Sequence, residues 1–170
     1  MGVFREVDPH EFSCRPFHII GSDLMLITAA KPDGSVNTMT AGWGALGTMW
    51  GLPAAYVVIR PHRYTHEFVE ASDVFSLCFF DPSYKKMMGY MGAVSGRSED
   101  KIATAGLTVR TDRGAPYFEE ASIVMCTTKL FAQPMAEENF LVPDVASKWY
   151  PEKDFHTQFI GRVDTILERR

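Results

Sequence analysis

Cysteine is scarce in this sequence and nowhere clustered. Cys14, Cys78 and Cys126 are odd in number and far apart. That leaves no Cys-x-x-Cys pair for a dithiol redox motif or a zinc ribbon, and it points to a reducing, cytoplasmic setting. Excess positive charge is missing too. A net charge of −4 and a pI near 5.7 argue against nucleic acid as the main partner, because phosphate backbones demand clustered Lys and Arg. No apolar run approaches the ~20 residues of a membrane span, so no membrane partner is expected. The opening Met1-Gly2-Val3-Phe4-Arg5-Glu6-Val7-Asp8 has neither an apolar signal core nor the Ser or Thr that a myristoylation motif needs where Glu6 stands. A Gly-x-Ser-x-Gly elbow and a P-loop lysine motif are both absent, and Ser95 has no neighbouring histidine to activate it, so a hydrolase is not expected.

What is present is a chain of 170 residues, the size of one domain spanning 1–170 and long enough to bury most of its apolar surface. It shows no internal repeat, low-complexity segment or linker. Apolar runs bounded by turn residues predict strands over about Leu24 to Ala30, Val36 to Ala41, Ala54 to Ile59, Val74 to Phe80, Ser122 to Ala132 and Thr157 to Leu167. Lys31-Pro32-Asp33-Gly34 has the chemistry of a tight reversal, so the first two strands read as an antiparallel hairpin, which favours a barrel over a parallel, doubly wound sheet. Short helices are expected over His62 to Ala71 with Pro61 in its first turn, Ser83 to Met91, Ser98 to Ala105 and Val142 to Trp149.

The segment Asn37 to Gly47, Asn-Thr-Met-Thr-Ala-Gly-Trp-Gly-Ala-Leu-Gly, joins a strand to a glycine-rich turn without a charged side chain. Such a stretch can lay backbone N–H groups against a flat or anionic ligand. Gly42, Gly44 and Gly47 spell the G-x-G-x-x-G of a dinucleotide fold, but that fingerprint requires a helix and a long crossover to follow. Gly51 and Pro53 come too soon, and the reading as a strand-to-loop ligand wall is preferred.

Two further clusters carry cations beside predicted helix starts. In Arg60-Pro61-His62-Arg63-Tyr64-Thr65, two arginines and a hydroxyl stand where N–H donors and a partial positive charge are expected, a plausible phosphate cradle. Ser95-Gly96-Arg97-Ser98-Glu99-Asp100-Lys101 adds a second hydroxyl, guanidinium and ammonium, of which helix capping explains only Ser98 and Asp100. His62, His66 and Glu70 recur at intervals of four, a spacing that can present metal ligands, but no further ligands cluster nearby in sequence, so exposed helix residues are the preferred account and no metal is expected.

Taken in order, Asn37 to Trp50, Arg60-Pro-His-Arg-Tyr-Thr65, Ser95-Gly-Arg-x-x-Asp-Lys101 and His156-x-x-x-x-Gly161 resemble the flavin reductase-like family that includes flavoredoxin, over roughly His10 to Ile166. Each motif alone is weak, whereas four in this order are specific. The resemblance implies a mainly β fold with short helices (α+β), an FMN-binding split β-barrel of Greek-key type, and a homodimer with flavin near the subunit interface. It also implies that Asn37, Thr38, Met39, Thr40, Ala41 and Trp43 line the isoalloxazine and ribityl chain, that Arg60, Tyr64 and Thr65 approach the phosphate, and that Ser95, Arg97 and Lys101 close the other side. The chemistry would belong to FMN, with no catalytic side chain assigned. NAD(P)H or a redox partner protein would donate electrons, and a flavin, a metal ion or a partner protein would accept them. The alternative within the family is a non-catalytic electron-transfer protein. Arg162 follows Gly161 where many relatives carry an acidic residue, so the acceptor side or dimer contact is expected to differ here.

Overall fold

The computed structural model describes residues 4–170 apart from the side chain of Pro143; the reading of Met1, Gly2 and Val3 lies outside the described residues. Strand β1 (Phe4–Val7) and helix α1 (Pro16–Gly21) lead into β2 (Met25–Ala30), β3 (Val36–Ala41), β4 (Gly44–Met49) and β5 (Leu52–Ile59). Helix α2 (Tyr64–Ala71), β6 (Val74–Phe79), α3 (Lys85–Ala93), α4 (Lys101–Thr104), the short strands β7 (Val109–Arg110) and β8 (Tyr117–Phe118), β9 (Ile123–Pro134), α5 (Pro143–Trp149) and β10 (Thr157–Arg169) complete the order. The main sheet runs β3-β2-β6-β9-β10-β5-β4 with β1 on the free part of β10, every pairing antiparallel. The mainly β fold read from the sequence is the one observed.

Both faces of the central strands are buried, which is why they read as continuous apolar runs rather than as an alternation. Ile27, Phe75, Leu77 and Met125 point into one core with Phe68 and Val69 of α2 and Phe159 of β10. Their neighbours Leu26, Cys78, Val124 and Cys126 point into a second core closed by Met88 and Met91 of α3 and by Phe118. Burial pushes the Cys78 thiol up to about 11 and the Cys126 thiol up to about 12, so both act as small apolar core residues. Where β10 crosses both neighbours, Gly161 sits at a bulge against Phe75 and Thr127. A Cβ there would lie 2.8 Å from both side chains.

The Lys31 to Gly34 reversal is a hairpin, with Gly34 at φ +84° and the Asp33 carboxylate accepting from the Ser35 backbone N–H. Four expectations need correction. The glycine-rich turn shrinks to Gly42-Trp43, because Gly44 to Met49 form β4, paired with β5 from Gly44↔Val57 to Met49↔Leu52. Gly44 is needed for that close approach, since a Cβ would collide with the Tyr56 carbonyl oxygen. The reversal is Trp50-Gly51, at φ 53° and 72°, the two positive values of a tight hairpin turn. Pro61 lies ahead of α2 rather than in its first turn, and α4 starts at Lys101 with Asp100, not Ser98, as its cap. His66, expected on an exposed helix face, is buried and hydrogen-bonded through Nε2 to Thr157 Oγ1 at 2.9 Å. Among the described residues no helix is long and apolar enough to cross a membrane.

Candidate functional site

The three central motifs meet around the start of α2. Asn37, buried on β3, donates from Nδ2 to Thr65 Oγ1 at 2.9 Å, joining the first motif to the second. The third motif wraps over this pair. Gly96 lies so close to Asn37 that a Cβ would overlap the amide, and Arg97 stacks its guanidinium 4.6 Å from the Tyr64 ring centre while donating to the His62 carbonyl at 3.1 Å. The remaining charge of Arg97 is met by Glu67, which also pairs with Lys31 at 2.9 Å. Ser95 Oγ accepts from the Arg97 backbone N–H.

Lys101 is only 4 % exposed, and its Nζ donates to the Met91 and Val94 carbonyls at 2.9 and 3.0 Å, at the C-terminal end of α3. Arg63 donates to the Gly92 carbonyl of the same helix end at 3.0 Å. Neither cation forms an ion pair among the described residues, and no side chain caps the first turn of α2. Burial, and then the charge of Arg63, lowers the Lys101 ammonium to about 8. A buried ammonium pressed by a second cation, beside uncapped N–H groups, has the electrostatics of an anion site.

A cleft of about 370 Å³ opens from this point along Met39, Thr40, Ala41, Gly42 and Trp43, with Arg63 at one end. Thr40 is held by its hydroxyl, which donates to the Met88 carbonyl at 2.6 Å, while Thr38 lies beneath, bonded to Thr28 at 2.9 Å. The far wall comes from the segment after β9: Trp149, Asp154 and His156. Trp43 meets Trp149 edge-on at 5.0 Å between ring centres and His156 at 5.1 Å. Arg60 straps this wall down. It donates to the Trp149 carbonyl at 2.7 Å, pairs with Asp154 at 2.5 Å and lies 4.9 Å from the Tyr150 ring centre. Its charge is therefore already balanced, unlike that of Arg63. Burial, reinforced by Arg60 and only partly offset by Asp154, lowers His156 to about 4, so its imidazole is neutral at pH 7.

Of the residues singled out in the sequence, Met39, Thr40, Ala41, Trp43 and Arg60 line the cleft. Asn37, Thr38 and Thr65 are buried outside its lining, and Tyr64, Ser95, Arg97 and Lys101 also lie outside the lining, clustered around the start of α2 and the end of α3. Arg63, Trp149, Asp154 and His156 were not among the assigned site residues. The closing His-x-x-x-x-Gly motif carries a signal for His156, whereas Trp149, at the end of the expected helix Val142 to Trp149, and Asp154, in the segment beyond it, carry none. The metal reading finds no support: among the described residues no three His, Cys, Asp or Glu groups converge, and His62 turns instead toward Asp154 at 3.4 Å. A second hollow of about 420 Å³, between the segment from Pro9 to Pro16 and β4–β5, has no Arg or Lys in its lining and lacks the chemistry of an anion site.

No curated protein matches this chain. Among solved structures, flavoredoxin of Desulfovibrio vulgaris (Miyazaki F) superposes with a TM-score of 0.65 at 24% identity, over 84% of this chain and 67% of the other. An FMN-binding domain of a flavin reductases-like enzyme from Shewanella baltica OS155 gives 0.68 at 16% identity, over 98% and 78%. The flavin reductase of styrene monooxygenase from Pseudomonas putida S12 gives 0.61 at 16%, over 85% and 77%. All three have the split-barrel architecture. The flavin reductase like domain model matches residues 17–170, and with that coverage the chain belongs to the flavin reductase-like domain family.

Proposed function

We propose that the cleft binds FMN and that the protein is an oxidoreductase passing electrons from NAD(P)H through the flavin to a second flavin, a metal ion or a redox partner. The observation that carries this reading is the join at Arg63. The cleft has a flat wall of Met39 to Trp43 and Arg63 in its lining, beside the uncapped start of α2; Arg63 shares the C-terminal end of α3 with the buried Lys101 behind it, and neither cation has a carboxylate partner among the described residues. A flavin mononucleotide matches that division, with a broad ring at one end and a single phosphate at the other.

The residues present fit the group. Arg63, Lys101 and the first N–H groups of α2 would hold the phosphate by charge-assisted bonds. Met39 to Ala41 and Trp43 would wall the ring, and His156 would offer a polar contact opposite. Bound there, FMN would supply the redox chemistry, and the chain's own task is to bind, orient and limit water. Arg60, strapped to Asp154 and Trp149, supports the wall rather than the phosphate.

A second reading has a specific basis. The cleft exposes Trp43 at 41 % and Trp149 at 44 %, and the adjoining hollow that shares Trp43 with it exposes Phe17 of α1 at 95 %, together an apolar surface suited to another protein. If that protein is a redox partner, the chain is an electron-transfer module with little nicotinamide activity. If it is a second copy, this surface is the homodimer contact implied by the family resemblance; light scattering of the purified protein would report a dimer mass.

The decisive experiment is a visible spectrum of the purified protein before and after anaerobic NADPH and then NADH, with the released cofactor identified by mass. A yellow protein that bleaches supports the reductase, and a yellow one that does not supports the electron carrier. A colourless protein that refuses FMN removes both.

A further inference from the structure

His156 lines the cleft together with Met39 to Ala41 and, unlike the exposed His62 that also lines it, is buried; its Nδ1 lies 2.7 Å from the hydroxyl of Tyr150. Tyr150 is itself buried, packed edge-on against His156 at 5.4 Å between ring centres and, at a tilt, against Phe155 at 4.9 Å. This contact can be made in two ways. Either the phenol donates to an unprotonated Nδ1, or a protonated Nδ1 donates to the phenol oxygen. The second arrangement leaves the phenol proton with only the Met135 thioether, 3.8 Å away, a weak acceptor at long range. The first gives that proton a ring nitrogen at close range and puts the imidazole proton on Nε2, which has no partner among the described residues and is not fully enclosed.

We propose that Tyr150 is a positioning residue: its hydroxyl holds His156 in the Nε2–H tautomer, so that the cleft carries a fixed, neutral hydrogen-bond donor for a carbonyl-type oxygen on the bound ring or on an incoming amide. The surroundings agree. The charged and titratable groups that bear on His156 are Arg60, Arg63 and His62, which oppose a second proton, and Asp154, which favours one. Asp154 is engaged by Arg60, leaving His156 neutral. Burial keeps the Tyr150 phenol protonated by raising it above its ordinary value. A neutral donor has a use that an imidazolium does not: it polarises an acceptor oxygen without bringing a third charge beside Arg60 and Arg63. The role toward a ring rests on the FMN reading above, whereas the tautomer does not.

The test is nitrogen NMR of imidazole-labelled protein, ligand-free, as wild type and as Tyr150→Phe, followed by titration of the same samples with FMN. The wild type is expected to show His156 with a pyridine-type Nδ1 and a pyrrole-type Nε2 at pH 7. Tyr150→Phe keeps the ring packing and loses the donor. It is expected to mix the tautomers and to raise the His156 titration midpoint by about one pH unit, the size of one hydrogen bond to the neutral form. A protonated Nδ1 in the wild type, or the same tautomer and midpoint in both proteins, would overturn the proposal. Should Tyr150→Phe fail to fold, the wild-type nitrogen shifts alone decide. Failure of the wild type to bind FMN would remove the ring as the acceptor, along with the FMN reading, while an inverted tautomer with FMN binding intact would remove only the role of Tyr150.

Discussion

The two ends of the cleft hold comparable charge and treat it in opposite ways. At the aromatic end, Arg60 is matched by Asp154 and His156 is neutral, so the site presents flat surface and hydrogen-bond donors with little net field. At the other end, Arg63 and, behind it, Lys101 face backbone carbonyls and, among the described residues, no carboxylate, and burial followed by the charge of Arg63 lowers the Lys101 pKa. Balanced charge of the first kind holds a fold together. Unbalanced buried charge of the second kind costs stability unless something anionic binds.

The largest effect that would test this contrast lies at acid pH. His156 titrates at about 4 in the folded chain against an ordinary value of 6.5. Between these values the unfolded chain holds the extra proton, so stability falls as pH drops through this window, by about 3 kcal/mol from this group. Urea unfolding from pH 7 to 4 should show the loss, and His156→Gln should lack most of it.

At the cationic end, Lys101→Met should weaken FMN binding by about 2–3 kcal/mol. Ligand-free stability at pH 7 should change by less than about 1 kcal/mol, because relief of a buried charge offsets two carbonyls left without their donor. Calorimetry and urea unfolding separate these outcomes, and a collapse in stability would make Lys101 a structural staple alone. Arg63→Ala should cost about 2 kcal/mol of FMN affinity and leave riboflavin binding unchanged, whereas Arg60→Ala should affect both flavins alike through the loosened wall.

The alkaline limb follows from the same lysine. In the ligand-free protein Lys101 releases its proton above about 8, but a bound phosphate would retain it. FMN affinity should therefore fall by about tenfold per pH unit above 8, a slope absent in Lys101→Met. Ligand-free stability should move the other way from pH 8 to 10.5, since there the unfolded chain binds the proton and the folded one does not. The smallest effect belongs to Trp43→Ala: about 1 kcal/mol of flavin affinity from lost aromatic contact, with little change in unfolding because the ring is partly exposed.

Local chemistry made much of this legible in the sequence. The Lys31 to Gly34 hairpin, the apolar runs of β2, β5, β6, β9 and β10, and three cation- or glycine-bearing motifs could be read without coordinates, because each depends on neighbours in the chain. The uncharged stretch after Ala41 misled: its glycines suggested a loop, and only the approach of the Tyr56 carbonyl reveals why a strand requires Gly44. His66 misled likewise, its hydroxyl partner Thr157 lying far along the chain.

What tertiary structure decided is which charges are already spoken for. By itself the sequence determined a mainly β chain with arginines, a lysine and hydroxyls grouped at turns and helix starts. It could not say that Arg60 belongs to Asp154 and Arg97 to Glu67 while Arg63 and Lys101 have no counterion among the described residues, since those pairings span long stretches of chain. Pairing depends on distances of a few ångströms and on burial. Both are set only when β3, α2, the 95–101 turn and the 149–156 segment pack around one cleft.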